Sequence, residues 1–209
     1  LFTVAAEGRT APSGAEVVRH RAVTVDFGSL FASGSPKGRA AMPTVNLNLF
    51  ADAVYTGVVT DAGEEGGYAS WSGTVEGTDR GTFSMVVVGD TYAAHVNTGS
   101  SVFEVRASGD VYHVVEIDQS QFVDHPPGSF DDPIIGELDQ PDARSTGRAN
   151  QDSGNILDIL VLYTPAAKAA WGGGKGRVIE TNIALAVTET NTSYAWSDVS
   201  TRLRMVKVE

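Results

Sequence analysis

The sequence predicts a mainly β protein. An N-terminal antiparallel β-sandwich or open barrel is followed by an acidic, proline-rich arm and then by a βαβ fragment of an α/β domain. Charged residues make up only 20% of the 209-residue chain, which contains 23 glycines, a composition typical of turn-rich β folds. Apolar and polar residues alternate through much of the N-terminal half. A near-continuous apolar run begins at Ile156 and leads into helical sequence.

The first strands follow a lead-in, residues 1–14, that shows no period and is predicted to be irregular. Alternation with β-branched residues then predicts four strands, at residues 15–27, 43–50, 51–61 and 68–77. The AGEEGG sequence between the last two of them is typical of a turn.

The clearest strand pattern runs from Gly81 to Asp118 and consists of GTFSMVVV, TYAAHVN, SVFEVRA and VYHVVEID. Gly89-Asp90, Thr98-Gly99-Ser100 and Ser108-Gly109-Asp110 separate these strands. Glycine and aspartate tolerate the positive φ of tight hairpins, so an antiparallel meander is predicted. The total of about eight strands suffices to bury one face of a sheet. The aromatic residues expected in its core are Trp71, Phe83, Tyr92, Phe103 and Tyr112.

Residues 119–154 differ from the rest of the chain. They contain four of the eight prolines and seven acidic residues against two basic ones, and they show no period. We interpret this stretch as a linker or extended arm. Its end is small and polar and carries Arg144 and Arg148, so proteolytic cleavage is expected there.

The C-terminal stretch reads as strand, short helix, long helix, strand. The apolar run from Ile156 to Tyr163 predicts a strand covered on both faces, and Pro165 is suited to the first turn of a short helix. A helix over about 177–193 would present Ile179, Ile183, Ala186, Val187, Thr190 and Tyr194 on one side. In the last strand the apolar face switches sides, which predicts a bulge near Met205-Val206. The two strands should pair in parallel.

A unit of two strands and one main helix cannot close a core by itself. We therefore expect the natural polypeptide to continue past Glu209, where the rest of the same domain would cover the apolar face. The alternative partner is a second copy of the chain, bound through the exposed strand 201–209.

Composition and motifs exclude several function classes. The net charge of −11 disfavours nucleic-acid binding, and no apolar run is long enough to cross a bilayer. The absence of cysteine removes thiol nucleophiles and thiolate zinc ligands. None of the four histidines lies in an H-E-x-x-H motif. His95 and His113, both in predicted strands, might meet across a sheet, and we interpret them as a structural pair or a solvent-facing pair.

Two stretches resemble bacterial secreted reprolysin-like, metzincin-type zinc endopeptidases. The first is DILVLYTPAA with the helix AVTETNTSY and the strand RLRMVKVE, which is similar to the opening βαβ unit of the catalytic domain. The second, ASWSGTVEG through VVEIDQSQF, is similar to the propeptides of these enzymes. The family's H-E-x-x-H-x-x-G-x-x-H zinc helix does not occur here, so the chain should be inactive alone.

The resemblance implies a proenzyme: residues 1–118 as a β-rich prosegment domain, 119–154 as a linker or activation segment, and 155–209 as the start of the protease domain. The parent enzyme would hold zinc and be secreted by a bacterium, and its signal peptide would already be absent from this chain. The expected partner of the chain is the remainder of its own catalytic domain. An arm residue is expected to block the zinc position, with Asp124, His125, Asp131 and Asp132 as candidates; the alternative is that the arm fills the cleft sterically. Activation cleavage is expected near Arg144 and Arg148.

Two other functions compete with this one. The first is a non-catalytic secreted β-sandwich that binds or assembles by strand addition at its unfinished sheet edge. The second is an inhibitor that acts on a protease in trans.

Overall fold

The computed structural model describes residues 1–6, 12–32, 44–108, 111–122, 155–170 and 177–208. A nine-stranded antiparallel sheet curls into a nearly closed barrel, and a small parallel sheet with a long helix follows it, which confirms the predicted fold class. The barrel strands are β1 (Phe2–Val4), β2 (Val17–Val25), β3 (Thr44–Phe50), β4 (Ala53–Glu65), β5 (Tyr68–Val75), β6 (Thr82–Val88), β7 (Thr91–Asn97), β8 (Val102–Ser108) and β9 (Val111–Ile117). The later strands are β10 (Ile156–Val161) and β11 (Arg202–Val208), and the helices are α1 (Phe27–Ala32), α2 (Pro165–Ala170) and α3 (Val178–Trp196).

Strands β6 to β9 form the predicted meander, and β3 to β5 extend it, so that each strand from β3 to β9 pairs with the next. Strand β2 adds to the far side of β9, and β1 pairs with β2. Gly89 and Gly99 lie in the two hairpin turns on either side of β7 with φ of 63° and 83°. Only glycine adopts this left-handed backbone without a steric cost, so the sequence signal for these turns has a direct structural cause.

Side chains join the two edges of the curled sheet. Asn48 of β3 accepts a hydrogen bond from the Phe2 amide at 2.9 Å and donates one to the Phe2 carbonyl at 2.5 Å. The guanidinium of Arg21 on β2 donates to the carbonyls of Asn48 and Leu49. These bonds satisfy edge groups that would otherwise be open to another strand.

The barrel interior holds a single large apolar cluster. Trp71, Phe83, Tyr92 and Phe103 are buried in it, and the partly buried Tyr112 packs against it, so all five predicted aromatic residues belong to this core. Helix α1 adds Leu30 to the cluster, and Asp26 caps this helix by accepting a hydrogen bond from the Ser29 amide.

Two details of the barrel differ from the sequence prediction. Residues 2–4 of the supposedly irregular lead-in form β1, a strand too short to show a period. The predicted AGEEGG turn is shorter than expected, because β4 continues through Glu65 and the chain turns at Gly66 and Gly67.

The C-terminal unit contains the predicted parallel pair, β10 and β11. Ile159 lies opposite Met205 and Leu160 opposite Lys207, so Val206 is the extra residue of a bulge at the predicted place. The Asn191 side chain fixes α3 to β11, because it donates to the Leu203 carbonyl at 2.9 Å and accepts from the Leu203 amide at 2.8 Å.

The prediction that the apolar strand is covered on both faces is wrong for this structure. Leu157, Leu160 and Leu162 of this segment are 49%, 56% and 69% exposed. The predicted apolar side of the long helix is also partly wrong, because Ala186 is exposed whereas Ala184 and Leu185 are buried. The helix is turned so that its small residues meet the barrel.

Candidate functional site: the interface between barrel and C-terminal unit

The described part of the C-terminal unit docks on the outer face of the barrel. Helix α3 lies against β5, β6 and β7. A second apolar cluster, separate from the barrel core, fills this interface. The barrel contributes Tyr68, Val86, Val88 and Ala93, and the C-terminal unit contributes Ala184, Leu185 and Met205, with Ile159 and Ile183 partly buried at its rim.

Strand β6 contributes side chains to both apolar clusters, because successive side chains of a strand point to opposite faces of the sheet. Val87 points into the barrel core, whereas Val86 and Val88 lie in the interface. The seven residues of β6 show almost no exposed position, which is typical of a strand covered on both faces. The interface is therefore built into the sheet and is not a contact of exposed side chains.

Small residues let α3 approach the sheet closely. Thr181 and Ala184 are fully buried, and Thr188, one turn further on, is 8% exposed. The hydroxyl groups of Thr181 and Thr188 donate to the carbonyls of Arg177 and Ala184 within the helix, so no unpaired hydroxyl enters the apolar contact.

Polar contacts also border the apolar interface. The Arg177 amide, at the N-terminal end of α3, donates to the Thr91 hydroxyl at 3.1 Å. Further along the helix, His95 Nδ1 of β7 lies 2.6 Å from Glu189 Oε1 of α3. The Glu189 carboxylate raises the pKa of His95 above its ordinary value, and Glu104 adds to this effect, while burial opposes it.

The tip of the β4–β5 hairpin touches β11. A Cβ built on Gly66, whose φ is +60°, would lie 2.7 Å from the Met205 carbonyl oxygen. Both the backbone conformation and the short distance require glycine here. The hairpin tip and the bulged strand are therefore in contact at the level of the backbone.

Beside this contact is a cleft of about 290 Å³ whose lining includes Arg177 and Glu180. The Tyr163 hydroxyl donates to Glu180 Oε1 at 2.7 Å, and Lys168 Nζ lies 3.7 Å from the same oxygen. Burial alone would raise the pKa of Glu180, but the Tyr163 bond and the nearby positive charges outweigh burial and lower it. The contacts of Tyr163 and Lys168 with Glu180 therefore connect the segment after β10 and α2 to α3.

The interface between the barrel and the C-terminal unit is built from apolar packing, hydrogen bonds and the His95–Glu189 ion pair. Among the described residues, no group of three or more His, Asp or Glu side chains lies close enough to hold a metal ion. The described residues therefore do not form a zinc site. The predicted site residues Asp124, His125, Asp131, Asp132, Arg144 and Arg148 lie outside the described part of the chain.

Sequence reasoning missed the residues that make this interface. It placed His95 in a strand but had no signal for Glu189, which lies 94 positions later in the chain. It also gave no signal for Asn191, whose side-chain amide binds the backbone of β11. The one available signal was the unbroken apolar run from Met85 to Val88, because consecutive apolar residues in a strand predict that both of its faces are covered.

Comparison with known proteins links the chain to metallopeptidases. It is 29% identical over 139 residues to a peptidyl-Asp metalloendopeptidase of Stenotrophomonas maltophilia, in a match that covers 65% of this chain and 32% of the relative. It is 28% identical over 160 residues to a peptidyl-Asp metalloendopeptidase of Xanthomonas campestris pv. campestris, covering 69% of this chain and 37% of the relative. The chain thus spans about a third of the length of these relatives.

The similarity supports a metalloprotease-related relationship. No known protein family's sequence profile matches the chain, and no solved structure matches it. In the parts of the chain that the structure describes, no helix has both the length and the apolar character that crossing a membrane requires.

Proposed function

We propose that the chain is the prosegment and the leading part of the peptidase domain of a bacterial secreted zinc metalloprotease of the reprolysin-like, metzincin type. The observation that carries the proposal is the similarity to two metalloendopeptidases, each about three times as long as the matched region. The RLRMVKVE and DILVLYTPAA segments, which resemble the opening of such a catalytic domain, are the β11 and β10 segments of the structure.

The first role is assistance in folding. The C-terminal unit has only two strands and one main helix, and its apolar side needs cover. The barrel supplies that cover through Tyr68, Val86, Val88 and Ala93. A barrel that folds on its own hairpins would thus offer α3 and β11 a preformed surface, while the remainder of the catalytic domain covers the exposed side chains of Leu160, Leu162 and Val206.

The second role is latency. In this proposal the rest of the parent enzyme holds zinc, because the H-E-x-x-H-x-x-G-x-x-H sequence of the resembled family does not occur in this chain. The chain has no cysteine, which leaves a carboxylate or an imidazole as the blocking group. Asp124, His125, Asp131 and Asp132, in the arm between the barrel and the peptidase segment, are the proposed source of that group.

The complete gene product tests this function. We expect it to cleave protein substrates poorly until the arm is cut, and then to show activity that a metal chelator abolishes. The mature N-terminus, read by sequencing, should lie between Asp142 and Asn155, with Arg144 and Arg148 as the expected cleavage points. An absence of chelator-sensitive proteolysis, both before and after cutting, would refute the proposal.

A quadruple variant isolates the latency residues. Replacing Asp124, His125, Asp131 and Asp132 by Ala in the complete gene product should give activity without cutting of the arm. The matched control replaces Glu137, Asp139 and Asp142 by Ala, which removes a similar charge from the same arm and should preserve latency. Preserved latency in both variants would reject the ligand role and leave steric blocking of the cleft.

A further inference from the structure

We propose that the His95–Glu189 ion pair is a pH-dependent latch, which holds α3 on the barrel while His95 is protonated and loosens it when His95 loses its proton. The latch concerns the docking seen in this chain and does not depend on the protease function.

The position of the pair is the first argument. The pair links β7 of the barrel to α3 of the C-terminal unit, whereas the Lys168–Glu180 and Arg204–Asp158 pairs join residues within the C-terminal unit. It lies at the edge of the apolar cluster, beside a cleft of about 390 Å³ that also touches Ser84 and Trp196. The side chains of His95 and Glu189 are 31% and 36% exposed, so water reaches both groups, although Glu189 Oε1 itself is covered. The proton can therefore exchange without unfolding of the barrel.

The surroundings of His95 are the second argument. Strand β6 presents the uncharged Ser84 opposite it, β8 presents Glu104, and α3 presents Glu189. Arg106 Nε lies 2.6 Å from Glu104 and partly satisfies that carboxylate. When α3 leaves the barrel, His95 keeps Glu104 but loses Glu189, so docking and protonation of His95 favour each other.

The sign of the pH dependence follows from the direction of the shift. The pKa of docked His95 is raised, mainly by Glu189. The contribution to docking is complete below the ordinary histidine pKa of about 6.5 and is lost as the pH rises through the raised value. Docking is therefore tighter at mildly acidic pH than at alkaline pH. Partly exposed ion pairs of this kind change an equilibrium by about two- to fivefold.

Hydrogen exchange of the 209-residue chain tests the latch. Protection of the α3 amides around Glu189, corrected for the intrinsic pH dependence of exchange, should fall about two- to fivefold between pH 5.5 and pH 9. Amides of β8, inside the meander, serve as the internal reference for global unfolding. Equal protection of α3 at both pH values would overturn the proposal.

Three variants make the result specific. Glu189→Gln should remove most of the pH dependence of α3 protection, whereas Glu76→Gln, which deletes an exposed carboxylate outside the interface, should retain it. His95→Lys keeps a positive charge through pH 9 and should protect α3 equally at both pH values. If Glu189→Gln does not fold, His95→Lys decides alone, and a wild-type pH dependence in either variant rejects the latch.

Discussion

A pair of valine substitutions in β6 separates docking of α3 from stability of the barrel. Val86 and Val87 are neighbours with 0% and 5% exposure, but Val86 lies in the interface cluster and Val87 in the barrel core. Each change to Ala removes two methyl groups at about 0.8 kcal/mol each, and the cavity left behind adds to this. We therefore expect each variant to lose about 2 kcal/mol, or about a 30-fold change in the affected equilibrium.

The two variants differ in which equilibrium they change. Val86→Ala weakens the docked state, so α3 amides that exchange by undocking should exchange about 30-fold faster. Val87→Ala leaves the docking contacts in place and should not change exchange of α3. Amides of β8 that exchange only by global unfolding should accelerate in both variants, because both contacts are lost when the whole chain unfolds.

Hydrogen exchange with mass spectrometry measures both regions in one sample. The reasoning is refuted if Val87→Ala accelerates exchange of α3 as much as Val86→Ala does. In that case α3 would open only when the barrel unfolds, and the interface would not be a separate cooperative unit.

Two further predictions concern the backbone contacts of the interface. Gly66→Ala should lower the thermal stability more than Gly99→Ala. Both positions have positive φ, but only at Gly66 does the new Cβ meet the Met205 carbonyl oxygen. This clash should add about 1–3 kcal/mol to the loss of stability. Equal shifts of the melting temperature would mean that the hairpin tip moves away freely. Asn191→Ala should lower the free energy of unfolding by about 1–3 kcal/mol, since it leaves the Leu203 amide and carbonyl without their side-chain partner. Asn182→Ala breaks a hydrogen bond within α3 and should lower it by less than about 0.5 kcal/mol. Urea unfolding measures both values, and similar losses would contradict the assignment of Asn191 to the helix–strand contact.

The features predicted correctly from the sequence are those set by local chemistry. Gly89 and Gly99 mark hairpins because positive φ is required at those positions, and the change of apolar face at Val206 reports a bulge within one strand. Strand β1 was missed because its formation depends on pairing with β2, about 20 residues later in the chain. The three-residue β1 carries too little pattern of its own.

The periodicity of the sequence did not predict the interface between α3 and the barrel. Apolar and small residues occur on all sides of α3. The sequence alone therefore did not distinguish a buried face that contains Ala186 from one that contains Ala184. The barrel decides between them, because close approach to β6 favours alanine and threonine over larger side chains. The contact between His95 and Glu189 follows from that rotation, and no local rule relates the two positions.

If the chain is part of a proenzyme, as proposed above, cleavage of the arm and release of the barrel are separate events. The interface is held by apolar burial around Leu185 and Met205 and by few polar contacts, none of which requires an intact arm. Cutting the arm removes the high effective concentration that a covalent link provides, but leaves the described contacts between α3, β11 and the barrel in place. Release then depends on the free energy of undocking, which Val86 sets through its packing and His95 adjusts through its charge. We therefore expect activation to be limited by dissociation of the barrel at acidic pH, and to accelerate on the alkaline side of the His95 titration.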